Sequence, residues 1–192
     1  NLGDYRRRRQ KYESFINEFD RLSKKRFTDM SRLRTEYGDS KELFIAGGDQ
    51  LWNSYHPCGN DEAYKLAFTD SPKKLAIGTS MGRNNQTDDE LTALAEQVSG
   101  FGGLFLREEC SAERFSTFTD VPCSHIIDPV GLVNPEELRK MAVKPNMDDK
   151  YAVMYLADSG AVLDGCVERL HKQAGLKIVH LCGFRKKCFC DV

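Results

Sequence analysis

No run in this chain approaches the ~20 consecutive apolar residues that a membrane-spanning helix requires. A cleavable secretory leader is not expected either, because the first thirty residues are charged throughout. Charge of one sign is also missing. Lys and Arg number 28 against 29 Asp and Glu, and the formal net charge of −1 creates no overall field to draw in nucleic acid or an anionic membrane. The seven cysteines, at positions 58, 110, 123, 166, 182, 188 and 190, are not the even, closely spaced set of a secreted disulfide scaffold. They fit the reduced thiols of a cytoplasmic protein. There is no fixed-period repeat and no three-glycine dinucleotide fingerprint.

The 192 residues suffice for one large or two small domains with a buried core, and 40% hydrophobic with 30% charged residues is the balance of a globular protein. Cys182, Cys188 and Cys190 with His180 invite a metal reading. Their C-x5-C-x-C spacing matches no common zinc site and a second ligand pair is missing, so no metal is expected. The chain opens at Asn1 and closes on Phe189-Cys190-Asp191-Val192 with no obvious terminal element, which suggests a piece incomplete at both ends.

Residues 1–40 read as an amphipathic basic helical segment. Tyr12, Phe15, Ile16, Phe19 and Leu22 recur near helical spacing, which predicts one buried stripe. The run Arg6-Arg7-Arg8-Arg9 has a phosphate- or nucleic-acid-binding reading and a solvated-face reading. No aromatic stacking platform accompanies it, so the second is preferred and no nucleic acid is expected as a partner. Residues 41–144 alternate short apolar runs with helical patterns: strands at Leu43–Ala46, Leu75–Met81, Leu104–Leu106 and Ser124–Ile127, helices at Thr87–Val98 and Ser111–Phe118. Thr87 and Glu90 supply a capping box. Asn134-Pro135 opens a further helix, with Asn as cap and Pro at the first helical position. Residues 145–150 read as a linker, and residues 151–192 restart the pattern as strand Tyr151–Leu156, helix Ala161–Gln173 and strand Lys177–Leu181. This alternation predicts an α/β fold with a parallel sheet and helices on both faces.

In such sheets ligands sit beyond the carboxyl ends of the strands. Four successive strand ends carry suitable residues: Gly48, Asp49 and Gln50; Thr79 and Ser80; Arg107 and Glu108; Asp128. The two glycines Gly47 and Gly48 permit close backbone approach. Asp49 can hold a sugar hydroxyl or take its proton, or else cap the following segment. Trp52 is either a stacking surface for a sugar ring or a core anchor. Arg107 can grip a carboxylate or phosphate bidentately, or form a salt bridge to Glu108 or Glu109.

The stretch Ile45-Ala46-Gly47-Gly48-Asp49-Gln50-Leu51-Trp52-Asn53 resembles the Gly-Ser-Asp-Gln-Val-Trp-Asn segment of the polysaccharide pyruvyl transferase family. Further resemblances follow in family order. Lys73 to Gly82 is similar to the lysine-flanked strand with Ala-Ser-Phe-Gly, Leu106-Arg107-Glu108-Glu109 to the Val-Arg-Glu turn, and Ile127-Asp128-Pro129-Val130 to the Asp-Pro-Thr turn. Gly48, Thr79 and Val130 depart from the family's commoner serine, alanine and threonine. The family's N-terminal Gly-Asn-rich turn has no counterpart here. Nor does its Ser-Phe-His-Gly segment, whose histidine is expected to lie beyond Val192.

The resemblance implies a Rossmann-like sheet from a two-domain, glycosyltransferase-B-like architecture. It also implies transfer of the enolpyruvyl unit of phosphoenolpyruvate to sugar hydroxyls of a surface-polysaccharide precursor, giving a pyruvate ketal. The expected partners are phosphoenolpyruvate as donor and a lipid-linked or nucleotide-linked sugar as acceptor, in the cytoplasm, with peripheral association at a membrane and no further cofactor. The implied binding residues are Gly48, Asp49, Gln50, Trp52, Asn53, Ser80, Arg107 and Asp128. Arg107 would contact an anion, and Asp49, Gln50, Trp52 and Asn53 would shape the acceptor side or fix the loop. Asp49 is the only catalytic candidate, the main acid being expected elsewhere. A nucleotide-sugar glycosyltransferase of the same architecture and a non-catalytic glycan-binding relative are the rival classes.

Overall fold

A computed structural model of the protein describes residues 2–19, 23–145, 147, 150–155 and 161–181. The chain forms two compact units, Asn1–Glu137 and Leu138–Val192. The first opens with helices α1 (Leu2–Phe19) and α2 (Met30–Tyr37), and strand β1 (Phe44–Gly48) follows. A short helix α3 (Pro57–Asn60) and a 3-10 turn (Glu62–Lys65) lead to β2 (Lys74–Thr79). Then come α4 (Asp88–Val98), β3 (Gly103–Leu106), α5 (Glu109–Phe115), β4 (Cys123–His125) and a second 3-10 turn (Pro129–Leu132). Helix α6 (Pro135–Met141) spans the boundary between the units.

The four strands form one all-parallel sheet in the order β1-β2-β3-β4. Strictly sequential order has a geometric consequence. Right-handed crossovers that always step in the same direction place every connection on one face of the sheet. That face is the core. Ala46, Ala76 and Leu104 lie in register across β1, β2 and β3 and are almost fully buried. Leu91, Leu94 and Val98 of α4, Phe115 of α5, and Trp52, Phe68 and Phe101 pack against them, joined by Met30, Leu33 and Tyr37 of α2. Each fully buried aliphatic or aromatic side chain contributes roughly 1.5–3 kcal/mol.

The opposite face differs from expectation. Ile45 is 51% and Phe105 36% exposed there, with Leu75 and Ile77 half-buried. Among the described residues helices cover one face of this sheet, not both. Of the apolar stripe expected along α1, Tyr12 (66%) and Phe15 (50%) are exposed and Ile16 is half-buried, while the Phe19 side chain and Leu22 are not described.

Local chemistry sets the element ends. Thr87 caps α4 by accepting from the Glu90 N–H at 3.2 Å, while the Glu90 carboxylate accepts from the Thr87 N–H at 2.7 Å, the expected capping box. The helix then buries Leu91, Leu94, Ala95 and Val98, an i, i+3, i+4, i+7 stripe. Helix α5 starts two residues earlier than the sequence pattern suggests and ends at Phe115, and β4 stops at His125 without Ile126 and Ile127.

The second unit holds β5 (Tyr151–Met154), α7 (Ala161–Ala174) and β6 (Lys177–His180). It is the expected βαβ unit, with parallel strands in register from Tyr151–Lys177 to Met154–His180. Met154, Val167 and Ile178 form its core. The linker residues 146, 148 and 149, and the cysteines at 182, 188 and 190, lie outside the described residues. No described helix is long and apolar enough to cross a membrane.

Gly78 links sheet and site. Its φ of +63° favours glycine, and a Cβ built on it would come within 2.3 Å of the Pro129 ring. That contact sets the Asp128-Pro129 turn against the end of β2. Gly78→Ala is expected to lower unfolding stability by about 2 kcal/mol or more, read by urea denaturation.

Candidate functional site

The turn after β1 is built on two left-handed residues. Gly48 has φ +138°, which a side chain would disfavour, and Gln50 has φ +50° despite carrying one. A non-glycine residue in that region costs on the order of 1–3 kcal/mol and persists only where its neighbours over-determine it. They do so here. The Asn53 amide donates to Gln50 Oε1 at 2.9 Å, the Asn53 backbone N–H to the Gln50 carbonyl at 3.1 Å, and the Trp52 N–H to the Ser80 carbonyl at 3.1 Å. Cys58 Sγ also reaches the Gln50 carbonyl, at 3.7 Å.

Trp52 is the core anchor and not a stacking surface. It is 4% exposed, donates its indole N–H to the Tyr64 carbonyl at 3.0 Å, and meets Phe101 edge-on. Asn53, 5% exposed, spends its side chain on Gln50 and on the Tyr55 N–H, so of its two expected roles it takes that of fixing the loop. Ser80 is fully buried. Its hydroxyl donates to Glu108 and accepts from the Gly82 N–H at 3.0 Å, which makes it a positioning group for Glu108. Thr79 is buried and donates to the Ala46 carbonyl at 2.9 Å, tying β2 to β1.

The remaining expected residues converge. From the end of β3, Arg107 donates Nη2 to Asp49 beyond β1 and Nη1 to Asp128 beyond β4, the latter at 3.0 Å. Glu108 lies at 3.8 Å from Arg107 Nε, too far for a hydrogen bond, and is held instead by Ser80 and by the Met81 N–H at 3.1 Å. The salt bridge considered from sequence was to Glu108 or Glu109. The carboxylates that actually hydrogen-bond the guanidinium come from other strands. Bonding to Asp49, and then to Asp128, raises the Arg107 pKa further, so it stays charged. The Val130 N–H, reinforced by Arg107, holds the Asp128 carboxyl below the usual carboxylate range. Three carboxylates around one guanidinium leave this cluster negative, so it is not an open anion hole as it stands.

A second ion pair frames the neighbouring loop. Arg83, its side chain 9% exposed, donates to Ser54 at 2.6 Å and to Glu90, and lies 4.0 Å from the Tyr55 ring centroid. Among the described residues its buried Nε meets no hydrogen-bond partner.

Two cavities flank the Gln50 turn. One, of about 350 Å³, is lined by Ser80, Arg83, Arg107, Glu108 and Cys110. The other, of about 600 Å³, is bounded by Asp49, His56, Cys58, Asp61 and Tyr64. Gln50 lines both. Sequence reading passed over Arg83, His56, Asp61 and Tyr64, which lie in irregular connections with no periodic signal, and left Glu108 out of the binding set. Among the described residues no group of His, Cys, Asp and Glu side chains could hold a metal ion.

No family model, characterised protein or solved structure matches this chain.

The Glu90 carboxyl is lowered from 4.5 to about 2, first by the Thr87 N–H, then by the Ser54 hydroxyl and Arg83. A depressed carboxylate pKa stabilises the fold fully above its unfolded value and loses that contribution as pH falls through the folded one. The stability difference between wild type and Glu90→Gln should therefore be constant above pH 4.5 and shrink toward pH 2. Denaturant titrations across that window would read it, and a pH-independent difference would remove the linkage.

Proposed function

We propose that this chain belongs to a transferase of the polysaccharide pyruvyl transferase kind. It moves the enolpyruvyl unit of phosphoenolpyruvate onto a sugar carried on a lipid or nucleotide, as a step in making a cell-surface polysaccharide. The reading combines the ordered sequence resemblance with one geometric observation: side chains from β1, β3 and β4 meet at the carboxyl edge of a parallel sheet, where such folds bind ligands. In this reading the two α/β units are Rossmann-like domains of a glycosyltransferase-B-like enzyme working in the cytoplasm, with peripheral association at the membrane that carries its acceptor.

The chemistry balances. The donor's methylene carbon takes one proton and becomes a methyl group. The first sugar hydroxyl forms a C–O bond at the adjacent carbon and the second displaces phosphate from it, closing the ketal. Of the two hydroxyl protons, one is matched by the proton on the methyl group and the other leaves with phosphate. Oxocarbenium character at the reacting carbon favours nearby carboxylates such as Asp49, and the donor's own anionic groups need a cation. Arg107 is that cation in this reading, but Asp49 and Asp128 already occupy it. Donor binding is then an exchange, in which the incoming carboxylate or phosphate takes the guanidinium edge now held by Asp128. Asp49 stays beside the acceptor.

Phosphate release from phosphoenolpyruvate in the presence of lipid-linked or nucleotide-linked sugars tests the reading. Turnover that requires a nucleotide-sugar donor instead would make the chain a glycosyltransferase, and failure of millimolar phosphoenolpyruvate to raise the unfolding temperature would favour a non-catalytic glycan binder. Arg107→Lys keeps the charge but loses the bidentate fork, and should raise KM for phosphoenolpyruvate about tenfold with circular dichroism unchanged. An unchanged KM would remove Arg107 from the donor site.

A further inference from the structure

The cavity of about 600 Å³ beside the Gln50 turn is not used by the donor chemistry, and its lining has a definite character. Among the described residues no lysine or arginine borders it, while Asp49 and Asp61 both do, so it disfavours phosphate and carboxylate groups. The described residues form no metal-ligand group, so its carboxylates do not make a cation cage. Beside Pro57 and Cys58, its lining includes residue types that recognise a polyhydroxylated ring: Tyr64, His56 and Gln50. Its volume falls within the ~300–1,000 Å³ usual for small-ligand sites.

The frame is rigid where it needs to be. Tyr64 stands on the 3-10 turn Glu62–Lys65, which Asp61 caps by accepting from the Ala63 N–H at 2.9 Å, and its carbonyl is pinned by the buried Trp52 indole. Tyr64 itself keeps 44% of its surface open. The His56 N–H bonds the Asn53 carbonyl at 2.9 Å, tying that residue to the same strained turn. One carboxylate belongs to both systems, since Asp49 borders this cavity and also accepts from Arg107. The Gln50 turn therefore separates an acidic, aromatic cavity from an arginine-bearing one.

We infer that this cavity is the binding subsite for an uncharged pyranose, the acceptor of the transfer, with Tyr64 as its stacking face and Asp49 and Asp61 as hydroxyl acceptors. The assignment of that sugar as acceptor rests on the transferase reading; the affinity for a pyranose does not. The site favours neutral sugars over sugar phosphates, because the one cation beside its carboxylates, Arg107, is already bonded to Asp49 and Asp128, and the described lining supplies no other to offset an added anion.

Ligand-observed saturation-transfer NMR on the full chain, with a panel of methyl hexopyranosides at millimolar concentration and no donor present, tests this directly. Transfer to the ring C–H protons of at least one glycoside is expected, with hexose 6-phosphates binding more weakly. Tyr64→Ala should weaken binding about fivefold or more, while Tyr64→Phe retains it. Asp61→Asn, which keeps the cap on the 3-10 turn, should also weaken it. Wild-type protein that binds no hexopyranoside, or Tyr64→Ala and Asp61→Asn proteins that bind like wild type, would overturn the inference. Sugar binding without phosphate release from phosphoenolpyruvate would leave this subsite standing and remove the pyruvyl reading. Turnover whose acceptor KM is indifferent to Tyr64→Ala would do the reverse.

Discussion

The Arg107 guanidinium lies between two carboxylates that reach it from different strands, and most of what is distinctive about this molecule follows from that bridge. Asp49 arrives from the end of β1 and Asp128 from the end of β4, so one side chain on β3 ties together strand ends that the backbone ladder links only stepwise. Around it the backbone adopts conformations with a cost. Gln50 is left-handed, Gly78 is left-handed against Pro129, and Ser80 is buried to hold Glu108. Strained backbone and hydrogen-bonded buried polar side chains gathered at one sheet edge are the pattern expected of a preorganised site.

The same bridge complicates any simple account of anion binding. A lone arginine at a strand end would attract phosphate or carboxylate. This one is already occupied by carboxylates, and any anionic ligand would have to compete for it. Such an exchange couples the two sides of the Gln50 turn, because releasing or retaining Asp49 alters both the arginine-bearing cavity and the acidic one. The transfer we propose, between an anionic donor and a neutral, hydroxyl-rich acceptor, would use such a division of charge. The one-sided cover of the sheet belongs to the same geometry, since sequential parallel order sends every crossover to the face where Trp52, Phe101 and Phe115 pack.

Much of this was legible in the residues themselves. The α4 capping box could be read from Thr87 and Glu90, because a cap is a contact between residues three apart and needs no tertiary information. The alternation of short apolar runs with helical patterns marked all six strands of the described residues, and the polar residues just past them marked the edge where a site belongs. Other features could not be decided that way. An indole after a glycine turn can face a ligand or a core with equal local sense, and only the neighbouring Phe101 and the Tyr64 carbonyl put Trp52 inside. Helical spacing in α1 implied a buried stripe, but periodicity states which residues share a face and not whether anything covers it.

The sequence by itself determined the α/β class, the α4 capping box, the approximate places of the strands and the set of polar residues just past them, because each depends on neighbours a few positions away. Only the tertiary structure decided which of those residues meet. Arg107 bonds Asp49 across 58 positions and Asp128 across 21, and a pairing over that distance is set by strand order, which no local pattern encodes. His56, Asp61 and Tyr64 became neighbours of Asp49 for the same reason: an irregular connection without periodicity folds back on the strand end that precedes it.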